Sequence, residues 1–156
     1  MNPIAVLAET TMETNIRNAF ETIVPIDLTK IFTGHRFLPA VQSTKDETGS
    51  WDAAGQSRTV CLSDGSEARE ELVSYSLPKS FSYKVSGFTG SLKYLAESAQ
   101  GEWRFDKVSE KITHVEWRYA FNPVSILTLP ILLIVAKVFW AGYMKKALAI
   151  CKQHSE

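Results

Sequence analysis

One carboxylate stands out among the side chains able to do chemistry. Glu70 lies in "QSRTVCLSDGSEAREELVSYS", residues 56–76, where Asp64-Gly65 separates two extended runs. That dipeptide is a strong hairpin signal. A two-residue loop there pairs Ser63 with Ser66, Cys61 with Ala68 and Thr59 with Glu70, and facing residues point to one side of the sheet. One face then carries Thr59, Cys61, Ala68, Glu70, Leu72 and Ser74. The other sets Arg58 against Glu71, Val60 against Arg69 and Leu62 against Glu67, with a charge in every pair, and belongs in water. Glu70 is thus a lone acid on a mostly small and apolar face. Such a group needs a partner or a raised pKa. In a cavity it would serve as a general acid or base, or accept a hydrogen bond from a ligand hydroxyl. The plain structural alternative is an ion pair with a neighbouring arginine, or a bond to a hydroxyl.

Other chemistry is hard to find. The chain has no P-loop, dinucleotide fingerprint, zinc spacing or nucleophile elbow. His35, His114 and His154 are scattered, and His114 falls on the outer face of its strand. No cofactor and no metal site is expected. Seventeen basic residues balance seventeen acidic ones, so no global field draws in nucleic acid. Cys61 and Cys151 make a poor disulfide framework and read as reduced thiols of a cytoplasmic protein. The N-terminus, "MNPIAVLAETTMET", lacks the basic leader of a signal peptide.

The elements that must position Glu70 follow from patterning. At 156 residues, 45% hydrophobic and 22% charged, the chain suits one domain over 1–156 with a real core. A first strand around Ala8 to Ile16 precedes "RNAFETIVPIDLTKIF", two short helices broken at Pro25 with Asp27 as a cap. A strand near Val41 to Thr48, the hairpin, "FSYKV", "GEWRF" and "THVEWRYAF" follow, rich in aromatic and β-branched residues. A helical segment from about Ser125 to His154 ends the chain. The plan is α+β, with helices on one face of an antiparallel sheet.

Alternation in the late strands gathers large rings on one side. Thr113, Val115, Trp117, Tyr119 and Phe121 share a face, joined by Trp103, Phe105, Phe81, Tyr83 and Val85. Rings with a hydroxyl or indole N–H suit a pocket that grips and orients a mostly apolar ligand, although a filled core would use the same residues. The "GFTG" glycines bracket a turn and read first as a plain loop, with a lid over a cavity mouth, formed by Phe88 and "SLKYLAE", as the alternative.

The greasy stretch Asn122–Trp140 decides what covers that face. From Val124 to Ala136 it runs 13 residues without charge before Lys137 interrupts, whereas a membrane-spanning helix takes about 20. Leu129, Leu132, Leu133, Ala136, Phe139, Trp140, Tyr143, Ala147, Ile150 and Cys151 form a stripe suited to lying on a sheet. Lys137, Lys145, Lys146 and Lys152 fall opposite. Leu127, Ile131, Ile134, Val135 and Val138 lie off the stripe, exposed in a monomer. They point to a homodimer contact, with a covering loop or peripheral lipid contact as alternatives.

The order of elements and the segments "VPIDLTKIF", "LPAV", "WDAAGQSRTV", "FSYKVSGFTG", "GEWRF", "EWRYAFNP" and "YMKKAL" resemble bacterial polyketide cyclase/dehydrase-like proteins. These belong to the SRPBCC superfamily, which includes START lipid-transfer domains and pollen-allergen-like proteins. The resemblance runs from about Ala8 to Lys152. It implies a helix-grip fold, in which a curved antiparallel sheet of about seven strands wraps a long C-terminal helix, with two short helices after strand one. It also implies a hydrophobic cavity for lipids, polyketides or other apolar molecules. No catalytic motif is shared across that group, so no catalytic residue is carried over.

The expected function is binding of an apolar small molecule between sheet and C-terminal helix. Glu70, Phe81, Tyr83, Trp103, Trp117, Tyr119, Leu133, Trp140 and Tyr143 are the expected lining. Two alternatives stand beside it. One is a cyclase or dehydratase using Glu70 and a tyrosine hydroxyl as acid–base pair; the other is a non-catalytic oligomeric interaction module.

Overall fold

Two capped helices and a proline open the fold. In the computed structural model, which describes residues 1–156, the Asn15 side chain accepts the Asn18 N–H and starts α1 (Ile16–Ile23). Asp27 accepts the Thr29 N–H and starts α2 (Leu28–Ile31), so the break at Pro25 and the Asp27 cap fall as expected. The Asn15 cap also corrects the first strand. Ile16 is helical, and β1 runs Ile4–Met12, with Ile4, Val6, Ala8 and Met12 turned inward.

Six further strands follow: β2 (Val41–Lys45), β3 (Ser57–Leu62), β4 (Glu67–Ser76), β5 (Ser80–Ser86), β6 (Ala96–Ser109) and β7 (Ile112–Pro123). They form one antiparallel sheet in the order β1-β7-β6-β5-β4-β3-β2. Register shifts at Leu72/Ser74, Ala96/Ser98 and Lys107/Ser109 bend the strands and help curve the sheet. Its concave face holds the core. There Phe20 of α1 meets Tyr75, Phe81 and Phe105 edge-on, with ring centroids 5.2–6.1 Å apart.

The β3–β4 hairpin departs from the two-residue loop by one position. Leu62 N–H donates to Ser66 O at 2.8 Å and Gly65 N–H to Leu62 O at 3.0 Å, giving a three-residue loop, Ser63-Asp64-Gly65. Asp64 accepts both the N–H and the hydroxyl of Ser66, and Gly65 takes φ +87°, the left-handed conformation such loops require. The strands therefore pair Val60 with Ala68, Thr59 with Arg69 and Arg58 with Glu70. Ala68, Glu70 and Leu72 keep the inward face expected for β4. On β3 the faces exchange: Arg58, Val60 and Leu62 share that side, and Thr59 and Cys61 do not.

The C-terminal helix is interrupted. α3 (Leu129–Ile134) and α4 (Ala141–Ser155) are joined by a π-helical turn, Val135–Trp140. Residues 125–128 lie ahead of α3, so the helix starts later than Ser125. A π turn holds one residue more than an α turn and rotates everything upstream. Leu132 and Ala136 are consequently buried, while Leu133 is 40% exposed rather than central to the stripe. Downstream, Tyr143, Met144, Ala147, Leu148 and Cys151 face the core. No helix is long and apolar enough to cross a membrane.

Candidate functional site

A cavity of about 410 Å³ lies between the concave sheet face and the C-terminal helix, partly open to solvent. Val60, Leu62, Ala68 and Glu70 of the hairpin form one wall; Tyr83, Val85, Tyr119 and Phe121 form the floor. Val135 and Trp140 of the π-helical turn cover it. The remaining rim comes from Phe32, the 37–39 loop, and the segment from Phe88 to Leu95, which includes a 3-10 turn at Ser91–Tyr94. Most of the lining is hydrophobic, with polar groups confined to a few positions, as in small-molecule sites generally.

Glu70 is the buried end of the polar set. Its Oε1 accepts from Arg58 Nε at 2.9 Å, and both side chains are largely shielded from water. The Arg58 guanidinium sits 3.9 Å above the Trp51 ring. The ion pair follows from the corrected register, which sets Arg58 opposite Glu70. The arginine is locked, yet the carboxylate still borders the cavity.

Two tyrosines complete the polar end. Trp117 Nε1–H donates to the Tyr83 hydroxyl at 3.1 Å, a fully buried bond. The oxygen is thereby occupied as an acceptor, and its own proton remains free to donate. Burial, then the nearby Glu70 charge, pushes Tyr83 well above the ordinary tyrosine range, against the pull of the Trp117 and Trp103 N–H groups. Tyr119 is raised in the same direction, first by burial and then by Tyr83 and Glu70. Both hydroxyls hold their protons at neutral pH. They are donors, not bases.

The nine residues expected to line the site divide into four groups. Glu70, Tyr83, Tyr119 and Trp140 border the main cavity. Phe81, Trp103 and Trp117 lie beside it, around a void of about 30 Å³ shared with Tyr83 and Glu70. Phe81 stacks on Trp103 and Trp103 on Trp117, a packed aromatic floor. Leu133 faces away, through the rotation described above. Tyr143 is buried but serves the 33–40 loop: its hydroxyl accepts from Gly34 N–H at 2.9 Å and donates to Pro39 O at 2.8 Å.

Trp117 and Trp140 meet across the sheet–helix interface, ring centroids 6.4 Å apart. Trp140 also touches Phe32, Tyr119 and Phe121, and its indole nitrogen is buried without a hydrogen-bond partner. Val135, expected on the outer dimer face, is half-buried and lines the cavity instead. Phe32, Leu38 and Val41 line the cavity outside the expected set, and the apolar run Phe37-Leu38-Pro39 inside a loop is the sequence signal for Leu38. Leu92 belongs to "SLKYLAE", the segment weighed as a lid, and it borders the cavity.

The convex face carries a separate cluster. His114 Nε2 stands 3.3 Å from Glu9 and 3.6 Å from Glu116, which face each other across β1 and β7. These donors could hold a divalent cation, but the carboxylates are well exposed and the sheet separates them from the cavity.

The architecture recurs in solved proteins. Ara h 8.0201 superposes with a TM-score of 0.73 at 14% identity, over 99% of this chain and 98% of that one. Ginseng major latex-like protein 151 from Panax ginseng gives 0.70 at 13% identity, over 98% and 97%. A norcoclaurine synthase point mutant from Thalictrum flavum, in complex with a transition-state analogue, gives 0.66 at 10% identity, over 99% and 96%. At such identities the likeness shows the fold alone, and that fold is the helix grip. No curated protein matches the chain in sequence. A family model described as polyketide cyclase/dehydrase and lipid transport matches residues 28–156. The chain belongs to that family, within the SRPBCC superfamily.

Proposed function

We propose that this protein binds a mostly apolar small molecule carrying one polar end, and releases it unchanged. The observation behind this reading is the cavity itself: about 410 Å³, hydrophobic over most of its lining, with Glu70 and Tyr119 on its wall. Ligand sites run roughly 300–1,000 Å³. A ligand hydroxyl would donate to the free edge of the Glu70 carboxylate and accept from Tyr119, while its apolar body lies against Val60, Val85, Phe121 and Trp140. Family and fold fit a hydrophobic-ligand binder.

A cyclase or dehydratase would use the same residues, and one solved relative of this fold is a synthase bound to a transition-state analogue. The electrostatics favour binding. An acid–base pair works best with pKa values near the operating pH. Here both tyrosines are driven upward, and Glu70 is held by Arg58 in a 2.9 Å ion pair, which suits a fixed recognition surface.

Native mass spectrometry of gently purified protein tests the proposal. A co-purifying apolar molecule of defined mass, released on denaturation, is the expected result. Repeated ligand-free spectra, together with no saturable binding of apolar probes, would reject it.

A further inference from the structure

Ile126, Leu127, Ile131, Ile134 and Val138 are each more than half exposed, and Val124 and Leu133 add to them. A contiguous apolar surface of this kind marks an interaction site. We propose that this face of α3 and the segment before it docks on an anionic lipid bilayer, with the cavity mouth turned toward the lipid.

Charge identifies the occupant. From Val124 to the C-terminus the chain carries Lys137, Lys145, Lys146 and Lys152 against one acid, Glu156, which pairs with Lys152 at 3.9 Å. Lys137, Lys145 and Lys146 are exposed. The protein as a whole is neutral, so this segment is cationic against its own background. The exposed apolar residues and these lysines share one helical segment, a combination that suits hydrocarbon below a negatively charged headgroup layer; Lys137 and Lys146 also donate to the backbone oxygens of Ala5 and Gly34.

Position supplies the second argument. The Val124 N–H donates to Leu95 O at 3.1 Å, and Leu95 lines the cavity. Val135 lines it too, flanked on the helix by Ile131, Ile134 and Val138. Phe139 packs on Phe37 with centroids 4.3 Å apart, and Phe37 is a largely exposed part of the rim. The apolar face is therefore one border of the opening. A second copy seated there would obstruct the opening, whereas a bilayer would leave an apolar ligand a path that avoids water. The interrupted helix places its π turn at this border, a feature frequent at functional sites.

The inference depends on the binding reading only for what passes between lipid and cavity; docking itself needs no ligand. The test is flotation of the full chain with phosphatidylcholine vesicles, with and without phosphatidylglycerol. Wild type is expected to float with the anionic vesicles at least tenfold better than Ile131→Glu or Leu127→Glu. Both substitutions are at exposed positions, and circular dichroism checks that the variants fold. Lys145→Glu should fall between, and added salt should weaken wild type. Failure of wild type to float with either vesicle, or equal flotation of Ile131→Glu, would overturn the proposal. A wild-type dimer that Ile131→Glu converts to monomer, with no flotation, would give the face to a second copy. Probe binding in free solution is a separate readout, so loss of docking and loss of ligand binding are distinguishable.

Discussion

The Tyr83 ring lies over Gly101 on the neighbouring strand. The two are paired in register, and a Cβ at Gly101 would sit 2.2 Å from Tyr83 Cζ and 2.4 Å from its hydroxyl. Only the missing side chain lets the ring lie flat and bring its oxygen to Trp117 Nε1. Gly101→Ala should therefore displace the ring and destabilise the fold by about 1–3 kcal/mol, as overpacking does. Chemical denaturation measures the loss. Tryptophan emission should shift as the Trp117–Tyr83 bond breaks, and Tyr83→Phe combined with Gly101→Ala should not repair the ring clash.

Arg58 and Glu70 form a largely shielded ion pair. Removing one partner leaves an uncompensated charge beside an apolar cavity. Arg58→Met is expected to cost about 3 kcal/mol, and the double variant Arg58→Met/Glu70→Leu to recover most of it, because well-packed apolar substitutes often equal a buried pair. A double-mutant cycle from urea denaturation checks this. The double variant should nevertheless lose preference for hydroxyl-bearing ligands, since the acceptor is gone.

Alkaline pH should weaken the fold through buried acids whose pKa values are raised. Tyr83 and Tyr119 ionise in the unfolded chain near pH 10, and burial holds both protonated above that. Burial also pushes the Cys151 thiol from about 9 up to about 12. Over these intervals the native state binds more protons than the unfolded one. Stability is therefore fully present below about pH 9 and falls as pH rises, by about 1.4 kcal/mol per pH unit for each such group. Melting temperature followed from pH 8 to 11 should drop beyond 9, and Cys151→Ala should delay the onset.

Much of this fold is legible in residue patterns. The alternation in "THVEWRYAF" places Trp117 and Tyr119 on the concave side, and Asp27 caps α2 as its type suggests. Two features escape such reading for physical reasons. Asp64-Gly65 closes either a two- or a three-residue loop, and the Asp64–Ser66 bonds that select the longer one depend on geometry. A one-residue slip exchanges the faces of β3, so Arg58 moves from the solvent side to Glu70. The π turn is equally hidden, because residues 131–135 are apolar in every direction and periodicity cannot report an inserted residue. That is why Leu133 and Val135 exchange the places expected of them. Tyr143 bonds a loop more than a hundred residues away, a contact no local pattern encodes.

The central claim concerns occupancy of the void beside Ala68, and a side chain can fill it. Ala68 is a buried cavity-wall residue on β4, and Ala68→Phe should occupy the space while raising stability by about 0.5–2 kcal/mol. Titration of wild type and Ala68→Phe with anilinonaphthalene sulfonate, an apolar fluorescent probe, is the direct measurement. Saturable one-site binding to wild type, weakened at least tenfold in the filled variant, is the result expected. Equal binding to both proteins, or none to either, would contradict the account.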